Sequence, residues 1–311
     1  MFDEITLHQF REKLELKGYA KRTVQEYCDY VKLFMRYLEE HEGVTSFDSI
    51  EPEHINAFHA HLHYTTGKKD RSLSIGSVRL RLVALKTFYR LMYEEELLSQ
   101  NYAPFIVLPH EVKSLPAHVP SEEEMRTLLE SITSDTSLLL RNRCIFELLY
   151  ATGIRNGELC TLTLSSMDFA EMTMFVKGKG SKERVVPIGE WVLPWLKEYL
   201  LLSRSKLVSG NPEPTDLFFV SKAGRPLRRN MLSYMVRTHA KNAGLSGRIT
   251  PHSFRHACAT HLLKAGADIR YVQELLGHEL LSTTQIYTRV EISFLKKMHH
   301  KYHPKERQLY E

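Results

Sequence analysis

Four prolines, Pro104, Pro109, Pro116 and Pro120, fall between Asn101 and Pro120. Proline fixes φ, removes a backbone donor and drives the residue before it out of the helical region, so this stretch cannot be a long helix. It divides a chain of 311 residues, long enough for two ordinary domains, into parts that read differently. Residues 1–105 read as a helical domain, 106–119 as a linker, and 120–311 as a second domain ending in a tail helix over 291–311.

Before the prolines the pattern is helical almost throughout. Val24, Tyr27, Val31, Phe34 and Leu38 recur at steps of three and four, the apolar stripe of an amphipathic helix. Thr23 and Glu26 have capping-box spacing at its start. A helix over 7–17 precedes it and is stopped by Gly18. Ile55, Phe58 and Leu62 mark a third helix, and Val78, Leu82, Leu85, Phe88, Tyr89 and Met92 a longer one over 75–94. Basic residues gather at Lys21 and Arg22, at Lys68, Lys69 and Arg71, and along the last helix at Arg79 and Arg81. Such clusters can grip a phosphate backbone, or they can be solvated helix faces.

Charge separates the two parts as well. Residues 1–110 carry 14 basic and 16 acidic side chains, and the remainder 28 and 21, so the positive charge lies in the second part. That balance fits a polyanionic partner. Four scattered cysteines without C-x-x-C spacing argue against a zinc ribbon or a disulfide framework and fit a reducing compartment. No basic-then-apolar leader and no run long enough to span a bilayer is present, so the expected location is cytoplasmic and away from the membrane.

The second part opens on Ser121 and Glu124, a capping box. A buried helix over 137–152 is stopped by Gly153, and Arg155 and Glu158 follow at once. An arginine there points into a site or forms a surface pair with Glu158. The clearest strand signal is a hairpin, 173–176 and 184–188, joined by Lys177-Gly-Lys-Gly-Ser-Lys-Glu183. Lys177, Lys179 and Lys182 sit on that tip, either solvated or facing a phosphate. Residues 190–202 read as helix, 218–220 as a short strand, and 230–242 as a helix bearing Arg228 and Arg229 near its start. Thr250 and Pro251 then begin a helix carrying His252 and Arg255. Gly266 stops it, Asp268 caps the next, and Gly277 ends that one before His278. Ser282 and Gln285 cap a last helix whose first turn carries Tyr287.

The combination suggests phosphoryl chemistry without a cofactor. Arginine forks neutralise charge developing on phosphate oxygens. Histidines move protons near neutral pH, and a tyrosine oxygen is a competent covalent nucleophile. No G-x-x-x-x-G-K-[ST], H-E-x-x-H or G-x-S-x-G occurs, so neither a nucleotide nor a metal cofactor is expected, nor a serine hydrolase.

The order Arg155, Lys179, His252-x-x-Arg255, His278, Tyr287, set in ATGIRNGEL, VKGKGSKERVVP, TPHSFRHACATHLL and LLGHELLSTTQIYT, resembles the catalytic set of the tyrosine recombinase (phage integrase) family, most of all Xer-like recombinases and simple integrases of mobile elements. The resemblance covers nearly the whole chain. It implies a mainly α fold with a small antiparallel sheet: a C-shaped two-domain clamp made of a helical core-binding domain and a catalytic domain. It also implies roles. Tyr287 attacks the scissile phosphate to leave a 3′-phosphotyrosyl link, Arg155 and Arg255 bind that phosphate, and Lys179 is the acid for the leaving 5′-oxygen. His252 assists proton transfer, His278 hydrogen-bonds the phosphate, and Glu158 supports Arg155 or His252. The expected partners are double-stranded DNA with an inverted-repeat core and a homotetrameric synapse exchanging strands through a Holliday junction, with the tail helix docked in trans, and with room for a second recombinase or an accessory protein. His299, His300 and His303 are expected on a basic, DNA-proximal tail.

Two other readings stay open at this level: a type IB-like topoisomerase, and a DNA-binding relative without catalysis. Arg289 and the KYHPKER tail lean towards mobile-element integrases rather than chromosome-dimer resolution, without deciding it.

Overall fold

The computed structural model describes residues 4–64, 72–110, 118–178, 183–245, 249–277 and 289–307. The chain forms two compact units, Met1–Ser114 and Leu115–Glu311.

The first unit is built on four helices, α1 (Glu4–Leu16), α2 (Lys21–Tyr37), α3 (Pro52–Tyr64) and α4 (Ile75–Glu94). Their apolar stripes meet in one core. Phe10, Val31, Phe34, Leu62, Val78 and Phe88 are fully buried, and Phe34 meets Phe58 edge-on at 4.9 Å between ring centroids. The expected capping box at the start of α2 is not formed. The helix starts earlier, at Lys21 with Ala20 as N-cap, so Thr23 lies within its first turn and Glu26 instead accepts from Arg22 Nε at 2.7 Å. Ser74 does cap α4, accepting from Ser77 N–H at 3.2 Å.

The second unit surrounds one buried helix. After α5 (Glu122–Glu130), with the Ser121–Glu124 capping box in place, comes α6 (Ser137–Thr152). Every α6 residue from Leu140 to Thr152 is buried. The helix therefore buries charge: Arg143 pairs with Glu147 at 2.8 Å, Glu147 also accepts from Trp191 Nε1 at 3.1 Å, and Arg141 donates to Asn142 Oδ1 at 2.8 Å and Val220 O at 3.0 Å. A short α7 (Asn156–Leu159) leads to three antiparallel strands, β1 (Met167–Asp168), β2 (Thr173–Lys177) and β3 (Glu183–Pro187), in the order β1-β2-β3. The hairpin register pairs Val176 with Arg184 and Lys177 with Glu183.

Next come α8 (Val192–Glu198) and α9 (Ser205–Val208), joined without a break by a π-helical turn over 199–204. The short strand expected at 218–220 is absent. Two isolated bridges, Thr163 with Leu217 and Val220 with Pro226, stand there instead, because a burial-driven apolar run such as Phe218-Phe219-Val220 needs no ladder to be inside. The unit is completed by α10 (Arg229–Asn242), α11 (Pro251–Lys264), α12 (Ile269–Leu276), α13 (Arg289–Tyr302) and α14 (Pro304–Arg307).

The tail departs from its expected surroundings. Within the single chain α13 packs against β3 and α12, and α14 follows it. His299 and His303 are 2% and 0% exposed, not on a DNA-facing surface, while His300 is exposed. His299 Nε2 donates to Ala151 O at 2.8 Å and His303 Nε2 to Tyr150 O at 3.2 Å, at the C-terminal end of α6. Trp191 stacks on both rings. The periodicity that gave the tail a weak apolar stripe misses this, because an imidazole can be core when its N–H finds a buried carbonyl, as both rings do here.

Candidate active site

Gly153 ends α6 at φ +59°, and a Cβ there would lie 2.5 Å from Leu276 Cδ2. Both the backbone conformation and the close approach of α12 require glycine. The chain then turns through buried Ile154 into α7, with Arg155 as N-cap and Glu158 in the third helical position. Glu158 Oε2 accepts from the Arg155 backbone N–H at 2.8 Å, and Oε1 from Arg155 Nη1 at 2.9 Å.

A third arginine completes the cluster. Arg184, the first buried residue of β3, forks onto both Glu158 oxygens at 2.9 Å each. It was not singled out from sequence. The signal was there, since the hairpin register puts a charge opposite inward-facing Val176, but a lone arginine at a strand start reads first as solvated.

These side chains meet at one helix end. The last carbonyls of α12 and the residue after it have no partner within the helix. Arg184 Nε reaches Leu275 O at 3.4 Å, Arg255 Nη2 donates to Leu276 O at 2.8 Å, and Arg155 Nη2 donates to Gly277 O at 3.1 Å. Three successive oxygens are thus met by three arginines from three separate elements. Cations at a helix C-terminus are also favoured by its dipole. Arg255 ties the other side together, donating through Nη1 to Gly153 O at 2.8 Å. Gly277, at φ +66°, permits the turn, and a Cβ on it would lie 3.0 Å from Arg184 Cδ and Nε.

The electrostatics are those of an anion site. Three guanidiniums face one carboxylate. Burial lowers the Arg255 pKa to about 10, with repulsion from Arg155 and Arg184 adding to the shift, so it still carries charge at neutral pH. Burial pushes Glu158 up, but the Arg184 fork and Arg155 together outweigh it and hold the carboxyl below its usual range. Glu158 is therefore ionised and cancels one of three charges. Of the three arginines, Arg155 is the accessible one, its side chain 39% exposed against 7% for Arg184. The nearby thiol is not a nucleophile at neutral pH, since burial raises Cys258 to about 12. His252 sits in the first turn of α11, exposed, three residues before Arg255. Lys179, His278 and Tyr287 lie outside the described residues.

A sequence profile described as the phage integrase family matches residues 119–293, and one described as the phage integrase N-terminal SAM-like domain matches residues 6–98. The chain belongs to the phage integrase family of tyrosine recombinases. A tyrosine recombinase XerC of Halalkalibacterium halodurans is 37% identical over 294 residues, 93% of either chain. A tyrosine recombinase XerD of Oceanobacillus iheyensis is 35% identical over 291 residues, 93% of this chain and 94% of that one. Among solved structures, the XerH site-specific recombinase bound to its difH substrate shares the fold at a TM-score of 0.67 and 22% identity, over 99% of this chain and 85% of that one. This tyrosine recombinase therefore acts in site-specific recombination with DNA as its partner, and the topoisomerase alternative gains no support from these relatives.

The recombinase's other expected DNA contacts divide by surroundings. Lys21, Arg22, Lys177, Arg228 and Arg229 are exposed. Arg22 pairs with Glu26, and Lys177 lies 3.4 Å from Glu183. Arg229 lies along Gly157, where a Cβ would be 2.5 Å from its Nη2, so Gly157 leaves room for this guanidinium beside α7. Arg79 and Arg81 have partners within their own unit. Arg79 Nη1 donates to Pro109 O at 2.8 Å, and Arg81 lies over the Tyr30 ring at 5.0 Å and donates to Ser77 O. Lys68, Lys69, Arg71 and Lys182 lie outside the described residues. Among the described residues no helix is long and apolar enough to cross a membrane, and no cluster of three histidine, cysteine or acidic side chains is placed to hold a metal.

Proposed function

We propose that the arginine cluster at the end of α12 holds the scissile phosphate while Tyr287 attacks it. The Tyr287 oxygen forms a bond to phosphorus as the bond to the 5′-oxygen breaks. The tyrosine proton passes towards His252, and Lys179 protonates the departing 5′-oxygen. Arg155 and Arg255 neutralise charge on the nonbridging oxygens, and His278 donates a hydrogen bond to one of them. Glu158 positions Arg155. The covalent link keeps the energy of the broken phosphodiester, so rejoining proceeds by the reverse attack of a 5′-hydroxyl without nucleotide or metal.

The observation that supports this most is the convergence of Arg155, Arg184 and Arg255 on three successive carbonyls, with one carboxylate among them. Such a preorganised excess of positive charge needs no rearrangement when an anion arrives. Lys21, Arg22, Lys68, Lys69 and Arg71 of the helical domain, and Lys177, Lys182, Arg228 and Arg229 of the catalytic one, supply phosphate contacts along the duplex. A DNA substrate puts the enzyme in the cytoplasm.

The working assembly is a tetramer on paired inverted-repeat sites, with the tail helix exchanged between neighbours. What supports exchange is the identity of the seat: a neighbour offers the same carbonyls, Tyr150 O and Ala151 O, and the same Trp191 that receive the tail within one chain. Swapping identical elements costs little in contacts.

The test is a plasmid carrying two copies of the sequence that the protein protects in footprints of genomic fragments. Two resolved circles are expected, and only when both copies are present. Efficient relaxation of a supercoiled plasmid lacking the sequence would overturn the reading in favour of a topoisomerase.

A further inference from the structure

We propose that Arg184 is a positioning residue for DNA cleavage: by occupying both oxygens of Glu158 it keeps Arg155 from closing onto that carboxylate, and so holds the Arg155 fork open to the phosphate. The assignment rests on the proposed role of Arg155.

The geometry separates Arg184 from the phosphate-binding pair. Its side chain is 7% exposed and fully engaged, with Nη1 and Nη2 on the two Glu158 oxygens at 2.9 Å and Nε towards Leu275 O at 3.4 Å. It is thus turned away from any bound strand. Arg155 shares only one of those oxygens, through Nη1 at 2.9 Å, and spends Nη2 on Gly277 O at 3.1 Å. A carboxylate and a guanidinium pair most strongly as a two-pronged fork. Glu158 and Arg155 are three residues apart and already share a backbone hydrogen bond, so they have every opportunity to form one. Arg184 takes the second prong. Without it, the Glu158 oxygen Oε2 keeps only the Arg155 backbone N–H, and the Arg155 guanidinium rotates to fill the vacancy, leaving Gly277 and the site.

Arg184 also fixes the floor beneath that turn. Its Cδ and Nε lie 3.0 Å from where a Cβ on Gly277 would be, and its Nε faces the carbonyl two residues earlier. One side chain thereby sets both the partner of Arg155 on α7 and the backbone on which Arg155 rests. The charged groups facing Glu158 are Arg155 on its own helix, Arg184 from β3 and Arg255 from α11. Arg184 is the largest single influence holding the carboxyl down against burial.

The test measures covalent adduct formation in a single turnover on a nicked duplex bearing the footprinted sequence, with wild type, Arg184→Lys, Arg184→Met, Arg155→Lys and the double lysine variant. Arg184→Lys keeps the charge but cannot fork. It is expected to slow adduct formation about a hundredfold, the scale of a misplacement of roughly 1 Å, with DNA-binding affinity unchanged. In the double variant, Arg184→Lys is expected to add little to the loss caused by Arg155→Lys, since Arg184 acts through Arg155. Arg184→Met is expected to shift the acid limb of the rate towards higher pH, because the buried Glu158 loses its fork and takes up a proton more readily. Wild-type rate and pH dependence in Arg184→Lys, or fully additive losses in the double variant, overturn the assignment. So does loss of cooperative melting in both Arg184 variants, which would make Arg184 a residue of the fold alone. Absence of adduct from wild type would instead overturn the role of the site itself.

Discussion

Arg155 and Arg255 hold neighbouring carbonyl oxygens, those of Gly277 at 3.1 Å and Leu276 at 2.8 Å. The two arginines come from different helices, and the oxygens come from the end of a third. Their guanidiniums are therefore brought together by backbone that has no other way to satisfy its acceptors. The same contacts that close a helix end gather three guanidiniums around one carboxylate.

Replacing Arg255 by lysine tests that double duty. An ammonium cannot span Gly153 O and Leu276 O as the guanidinium does. One buried acceptor is left unpaired, a cost of about 1–3 kcal/mol in a urea melt. Adduct formation is expected to fall about a hundred- to a thousandfold, the cost of removing one preorganised donor. A variant that melts lower but cleaves at the wild-type rate would dissociate the cluster from catalysis.

Gly153→Ala is expected to destabilise the catalytic unit by about 2–4 kcal/mol, from left-handed backbone strain together with overpacking. The methyl group would have to displace Leu276 Cδ2, 2.5 Å away. Thermal melting reads the loss directly, and an unchanged midpoint would mean that α12 does not rest on this turn.

Much of this was legible in the sequence, and the exceptions have physical reasons. Helix α4 has the bounds its stripe indicated, and Gly153, Gly277, Thr250 and Ser121 end or begin helices where their chemistry requires. Local signals are strong where one residue satisfies a backbone group, as Ser121 does for Glu124 N–H. Arg184 was not legible, because its partner Glu158 lies 26 residues away and periodicity carries no information about pairing across that distance. The buried histidines of the tail were misread for the same reason: their acceptors, Ala151 O and Tyr150 O, lie 148 and 153 residues away.

The tail seat makes stability depend on pH. Burial lowers the His299 pKa to about 4 and moves His303 and His261 the same way. A histidine depressed in the folded state binds its proton more readily when unfolded. Its stabilisation is present above the unfolded pKa of 6.5 and is lost as pH falls towards 4. For His299 alone the loss is on the order of 3 kcal/mol. Glu306, raised by burial, titrates in the opposite sense, so His299→Gln isolates the histidine's share. The thermal midpoint of wild type is expected to fall over this window more steeply than that of His299→Gln; parallel curves would refute a neutral buried His299.

Salt dependence separates DNA contacts from structural arginines. Arg228→Ala and Arg229→Ala, at exposed positions, are each expected to reduce the slope of log affinity against log salt by about 1. Arg81→Ala, which removes a cation over the Tyr30 ring, is expected to lower the melting midpoint of the helical unit instead. Equal slopes for wild type and the Arg228 and Arg229 variants would remove both residues from the DNA contacts.

The central claim is that Tyr287 is the nucleophile served by this arginine cluster. A nicked suicide duplex bearing the footprinted sequence lets the cut strand end diffuse away and traps the covalent intermediate. Wild type is predicted to yield a protein–DNA adduct joined through a 3′-phosphotyrosyl bond, which peptide mapping assigns to Tyr287, and Tyr287→Phe is predicted to yield none while still binding the duplex. An adduct that persists in Tyr287→Phe, or a wild-type protein that binds the duplex and forms no adduct, would contradict the account.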